Sequence, residues 1–150
     1  MDNSPNHHLI PPKRLLVLED DPNNLRGFSA LLSLIGYSVL EATTGEEGVE
    51  AGNRHGSIDL FLSDVDVPGP SGTEVALELI KSHPTMPILF VSGTPMYLWR
   101  RNDVDNFRRL PPDLVAFIEK PCRLPAFLEK VNELIEQRSH HVAYSRAAWR

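Results

Sequence analysis

Residues 14–22 read RLLVLEDDP. From Arg14 the chain runs apolar through Leu18 and stops at three acids, Glu19, Asp20 and Asp21. A run without polar alternation suits a strand buried on both faces rather than one with a wet side. Asp21-Pro22 then reads as a helix N-cap followed by proline at the first helical position. Leu25, Phe28, Leu31, Leu32 and Ile35 recur at helical spacing, and Gly36 suits a C-terminal cap. Buried strand, acidic turn and amphipathic helix make one βα unit.

The unit recurs along the chain. A second strand is predicted over Tyr37–Ala42, followed by a helix whose start at Thr44 and Glu47 has the pattern of a capping box. Gly48 and Gly52 lie inside that helix and each costs about 1 kcal/mol relative to alanine, so it is expected to be the weakest helix. A third strand is read over Ile58–Leu62 and a helix over Thr73–Ser82, with Val75, Ala76, Leu79 and Ile80 inward. Pro87–Ser92 is a fourth strand, residues 95–110 contain a helix of mixed character, and Leu114–Ile118 is a fifth strand. A last helix is predicted from Pro125 to Gln137, with Phe127, Leu128, Val131, Leu134 and Ile135 on one stripe. Five βα units imply an α/β fold, a doubly wound parallel sheet with helices on both faces.

Composition narrows the class. The chain has 150 residues, 41% hydrophobic and 23% charged, which suits one soluble domain with a single core. No apolar run reaches the roughly 18 residues that span a bilayer, and the N-terminus lacks a secretory pattern, so a cytoplasmic location is expected. The net charge of −5 does not suit a general nucleic-acid binder. The single cysteine, Cys122, excludes an internal disulfide and is read as half-buried filler. Residues 1–12, polar with three prolines, are expected to form a flexible arm, with His7-His8 solvated.

In sheets of this kind ligands bind beyond the carboxyl ends of the strands. There the first strand ends at Glu19-Asp20, the third at Asp64, the fourth at Ser92 and the fifth at Glu119-Lys120-Pro121. Carboxylates brought together repel, and a hard divalent cation with oxygen ligands relieves the repulsion. An ammonium and a hydroxyl suit phosphoryl oxygens. The set reads as a Mg²⁺-dependent phosphoryl site with a carboxylate nucleophile.

Four motifs in order, LLVLEDDP, SDVDVPGPSG, ILFVSGT and FIEKP, resemble the receiver domain of two-component response regulators over residues 13–138. The resemblance implies a flavodoxin-like (βα)5 sheet of strand order 2-1-3-4-5. It implies a signalling switch rather than an enzyme, with Asp64 phosphorylated by a histidine kinase or a histidine phosphotransfer protein. Glu19 and Asp20 match the acidic pair that holds Mg²⁺ (or Mn²⁺), Asp20 the more direct, with Asp64 and the backbone carbonyl of Asp66 as further ligands. Ser92 and Lys120 match the residues that contact the phosphoryl group, and Phe117 the aromatic whose rotamer reports the switch. Pro68 and Gly72 match the loop after the phosphorylated aspartate, and the Lys120-Pro121 bond is cis in similar domains. Side chains at Asp66 and Thr94 occupy positions that tune the lifetime of the phosphorylated state.

The stretch from Ser92 to Lys120 is longer than in similar domains, so the fourth helix is expected to be extended or followed by an extra loop. Tyr97, Trp99 and Phe107 alternate there with Arg100, Arg101, Arg108 and Arg109, which suits either an anchor for a downstream protein over residues 95–118 or an amphipathic helix with a solvated basic face. A homodimer through the fourth helix, fifth strand and fifth helix is also expected. Residues 139–150 are read as a partly ordered tail, and the chain as a receiver without an output domain. Two rivals stand beside this reading. One is a receiver-like adaptor that is never phosphorylated. The other is a haloacid-dehalogenase-like phosphatase, because Asp64-Val65-Asp66-Val67 fits that family's first motif; there Asp64 would be nucleophile and Asp66 general acid.

Overall fold

The structure, a computed structural model, describes residues 10–147, with side chains through Ser139. The elements in order are β1 (Arg14–Leu18), α1 (Pro22–Leu34), β2 (Ser38–Ala42), α2 (Gly45–Arg54), β3 (Leu60–Ser63) and α3 (Gly72–Leu79). They continue with β4 (Ile88–Ser92), a 3₁₀ turn (Met96–Leu98), α4 (Arg101–Arg109), β5 (Val115–Glu119) and α5 (Leu124–Ala147). All strands pair in parallel in the order β2-β1-β3-β4-β5, as the resemblance implied.

The period of two along the strands divides the interior into two layers. Leu16, Leu18, Phe61, Ile88 and Phe90 point to one face, where Val75, Ala76, Leu79 and Leu110 cover them. Leu15, Val17, Leu60, Leu62, Leu89 and Val91 point to the other, beneath Leu25 and Leu32 of α1 and Phe127, Val131, Leu134 and Ile135 of α5. Both faces are covered, so the central strands tolerate no polar alternation. Cys122 is half-buried against the second layer.

Local chemistry sets the boundaries. Asp21 caps α1 by accepting the N–H groups of Asn23 and Asn24, and Gly36 leaves the helix with φ 105°. The Thr44 hydroxyl accepts the Glu47 N–H, while the Glu47 carboxylate takes the N–H and hydroxyl of Thr43. Those donors, the Thr43 backbone first, hold the Glu47 carboxyl below the usual carboxylate range. The third helix ends at Leu79 rather than Ser82, close before Pro84, which disfavours helix in the residue preceding it.

One expectation gains a packing context and three change. The two glycines of α2 have a packing role: a Cβ at Gly52 would collide with Leu79, and one at Gly48 would sit 3.3 Å from Leu18 and Val75. They let α2 lie close against α3, a role that propensity alone does not show. Ile35 is 45% exposed instead of inward. The long segment after β4 does not extend α4; its extra residues precede the helix, as the turn at Met96–Leu98. Finally, α5 passes Gln137 and continues to Ala147, so the segment read as a tail from residue 139 is helical as far as it is described. Residues 1–9 of the expected arm lie outside the described residues; Ile10 to Pro12 are exposed and lack regular structure. Among the described residues no helix is long and apolar enough to cross a membrane.

Candidate phosphoryl and metal site

The parallel ladders bring four strand ends to one point. Leu18 is in register with Ser63, and Ser92 with Glu119. The pairing runs one residue further in the backbone. Glu19 N–H donates to Ala42, Asp64 N–H to Leu18 and Lys120 N–H to Ser92, at 3.0, 3.0 and 2.8 Å. The first residue past each of β1, β3 and β5 is therefore fixed while its side chain leaves the sheet.

Lys120 Nζ donates to Glu19 Oε2 at 2.9 Å and to Asp64 Oδ2 at 3.2 Å. Glu19 is buried, Asp64 half-buried and Asp20 exposed. The other Glu19 oxygen accepts the Asp21 N–H at 3.2 Å. Partial burial acts to lower the Lys120 pKa, but the Glu19 hydrogen bond and the charges of Asp64 and Glu19 outweigh it and hold the ammonium above its ordinary value. Carboxylate oxygens of Glu19, Asp20 and Asp64 lie within 4.8 Å of one another. One ammonium against three carboxylates leaves an excess of negative charge. All-oxygen donors, one buried and one open to water, fit a hard divalent cation that keeps part of its water shell.

The other expected residues surround this centre. The Asp66 carboxylate is exposed; its N–H donates to Asp64 Oδ1 at 3.3 Å and its Oδ2 accepts the Thr94 hydroxyl at 3.5 Å. Ser92 is buried at the end of β4, and its hydroxyl accepts the Thr94 N–H at 3.2 Å, within its own turn. Pro121 follows a cis peptide bond. Gly72 is needed as glycine, since a Cβ there would overlap the Asp64 carbonyl. Phe117 is half-buried on β5, its ring 5.0 Å from Trp99 at 84°.

Trp99 departs from the anchor reading and agrees with the amphipathic one. Of the aromatics read as surface anchors, Tyr97 is 84% exposed, but Trp99 and Phe107 turn inward. The indole stacks edge-on with Phe90, Phe107 and Phe117 and donates to the Thr94 carbonyl at 2.8 Å. A polar cluster was not anticipated either. Asp103 and Asn106 are buried beside Ser71 and Thr73. The spacing of Trp99, Asp103, Asn106 and Leu110 is helical, and all four are buried. That stripe was a signal available in the sequence.

The model of the response regulator receiver domain matches residues 15–132. The chain belongs to the response regulator receiver family. Receiver domains are signalling modules of two-component systems that interact with histidine kinases and effectors. The chain is 35% identical over 126 residues, 83% of its length, to the sensor kinase CckA of Brucella abortus, and spans 12% of that protein. It is 27% identical to the polar-differentiation response regulator DivK of Brucella anthropi, covering 83% of this chain and 97% of DivK. Among solved structures it is similar to the response regulator TrrA of Thermotoga maritima in complex with Mg²⁺-BeF. That match has a TM-score of 0.68 and 29% identity, and covers 81% of this chain and 98% of TrrA.

Proposed function

We propose that the protein is a phosphoacceptor switch in which Asp64 takes a phosphoryl group from the phosphohistidine of a histidine kinase or histidine phosphotransfer protein. The observation that carries this reading is the convergence of the Glu19, Asp20 and Asp64 carboxylates at the carboxyl ends of β1 and β3, with Lys120 after β5 paired to Glu19 and Asp64. An Asp64 carboxylate oxygen bonds to phosphorus as the bond from phosphorus to the imidazole nitrogen breaks, and the imidazole keeps the electron pair. Mg²⁺ (or Mn²⁺), held by Glu19, Asp20, Asp64 and the Asp66 carbonyl, would neutralise phosphoryl oxygens during transfer.

Lys120 already lies on Asp64 and would follow the new charge. Ser92 would exchange the Thr94 N–H for a phosphoryl oxygen. Because the Thr94 carbonyl holds the Trp99 indole, movement of this turn is passed to Trp99 and Phe117. The outcome is a population shift over α4, β5 and α5. Tyr97, Leu98 and the exposed arginines Arg100, Arg101, Arg108 and Arg109 would present the altered surface to a downstream protein or a second copy, in the cytoplasm. Asp66 and Thr94, joined side chain to side chain, would set access of water to the acyl phosphate.

Incubation with Mg²⁺ and acetyl phosphate, read by intact mass, tests this. One phosphate adduct is expected, absent from Asp64→Asn. No adduct on the wild type would favour the adaptor reading, and an adduct on Asp64→Asn would displace the acceptor. The phosphatase reading requires turnover of para-nitrophenyl phosphate that is lost on Asp66→Ala.

A further inference from the structure

Asp103 is a buried carboxylate that phosphoryl transfer does not use. It is 3% exposed, on α4 where that helix faces α3. Its described partners are two hydroxyls: Ser71 Oγ donates to Oδ1 at 2.6 Å, and so does Thr73 Oγ1. Asn106, one turn on, donates to Thr73 Oγ1 at 3.2 Å, and Asn102 donates to Glu74 at 3.2 Å. Burying a carboxylate is costly unless donors surround it, and here both described donors, Ser71 and Thr73, come from a single place, the N-cap and first turn of α3.

That first turn is the end of the loop carrying Asp64. Ser71 is the N-cap of α3, and Thr73 is its second residue. Between them Gly72 lies against the acceptor's own backbone. Its N–H donates to Val65 O at 2.9 Å, and a Cβ on it would overlap the Asp64 carbonyl. The same carbonyl accepts Ser63 Oγ at 2.6 Å. An unbroken line of contact therefore runs from Asp103 through Ser71 and Thr73 to Gly72 and the Asp64 main chain.

We propose that Asp103 is a positioning residue for the phosphoacceptor loop, residues 64–71, fixing the start of α3 and tying the Asp64 backbone to α4. This rests on the reading of Asp64 as acceptor. It adds a connection between Asp64 and α4 that uses neither Ser92 nor Phe117. A carboxylate suits the task because one oxygen accepts both hydroxyls with no competing donor beside it. An asparagine would bring an NH₂ group into a site already supplied with donors.

The test uses the full chain with Asp103→Asn, Thr73→Val and the double variant. Mg²⁺ affinity is measured by calorimetry, phosphate uptake from acetyl phosphate by intact mass, and stability by urea midpoint. Each single variant is expected to weaken Mg²⁺ binding and slow uptake by about three- to ten-fold, and the double variant to be no worse than the poorer single. A lowered urea midpoint with Mg²⁺ affinity and uptake within about two-fold of wild type overturns the proposal, because the cluster then only packs α3 on α4. If Asp103→Asn does not fold, Thr73→Val and Ser71→Ala, which each remove one donor, carry the same two outcomes. Failure of the wild type to bind Mg²⁺ or take up phosphate overturns the acceptor reading and this one together. Uptake by the wild type with unaffected variants overturns only the positioning role.

Discussion

Lys120 stands against an excess of carboxylate, and the balance of the site turns on that single ammonium. Removing one acid should relieve the repulsion. Asp64→Asn in metal-free buffer is expected to raise the urea midpoint, by an amount equivalent to about 1 kcal/mol, and the gain should shrink as Mg²⁺ is added. The ammonium gives a pH signature of its own. Its folded pKa lies above the ordinary 10.5, so its contribution is complete below that value and disappears as pH rises through the folded value. Urea midpoints of wild type and Lys120→Met should therefore differ at pH 9 and converge above pH 10.5. Groups shared by both proteins cancel in the comparison. Most of these site residues were legible in the sequence, because each stands directly after a buried strand and parallel register makes strand ends converge. Asp103 was not legible in the same way. An acid in an apparently solvated helix gives no warning of burial until the inward stripe from Trp99 to Leu110 is drawn.

At the scale of elements, α2 separates propensity from packing. Gly52→Ala would gain helix propensity, yet its Cβ meets Leu79. The expected net effect is destabilisation of about 1–3 kcal/mol by urea unfolding. Gly27→Ala in α1 is the matched control, with nothing within 4 Å of the added carbon, and should stabilise by about 0.5–1 kcal/mol. Equal signs for the two substitutions would remove the close-approach argument. The strands were readable from their unbroken apolar runs, and the caps of α1 and α2 from Asp21-Pro22 and Thr44. The segment after β4 was not, since Trp99 and Tyr97 have similar chemistry and only tertiary contact sends one inward and leaves the other in water. Pattern reading gave both the same role.

Across the whole molecule, α5 closes the fold at the end of the sheet opposite the site. Arg138 Nη1 donates to Asp59 Oδ1 at 2.6 Å, and Asp59 Oδ2 accepts the Arg14 N–H at 2.8 Å. One aspartate thus joins the last helix to the first residue of β1. A chain ending at Gln137, where periodicity had placed the end of the helix, should lose about 1–3 kcal/mol of stability. Arg138→Ala in the full chain should account for part of that loss, with urea unfolding as the measurement. The parallel sheet also governs the order in which the molecule can form. Every pairing joins strands separated by a helix, so no tight hairpin can seed the sheet. Lys120 is made 101 residues after Glu19. While the chain emerges from the ribosome, the acids after β1 and β3 can come together well before their counter-charge exists. Docking of β5 is then the step that completes the sheet and supplies the one ammonium, and until then the nascent domain carries its candidate site as a point of unrelieved self-repulsion.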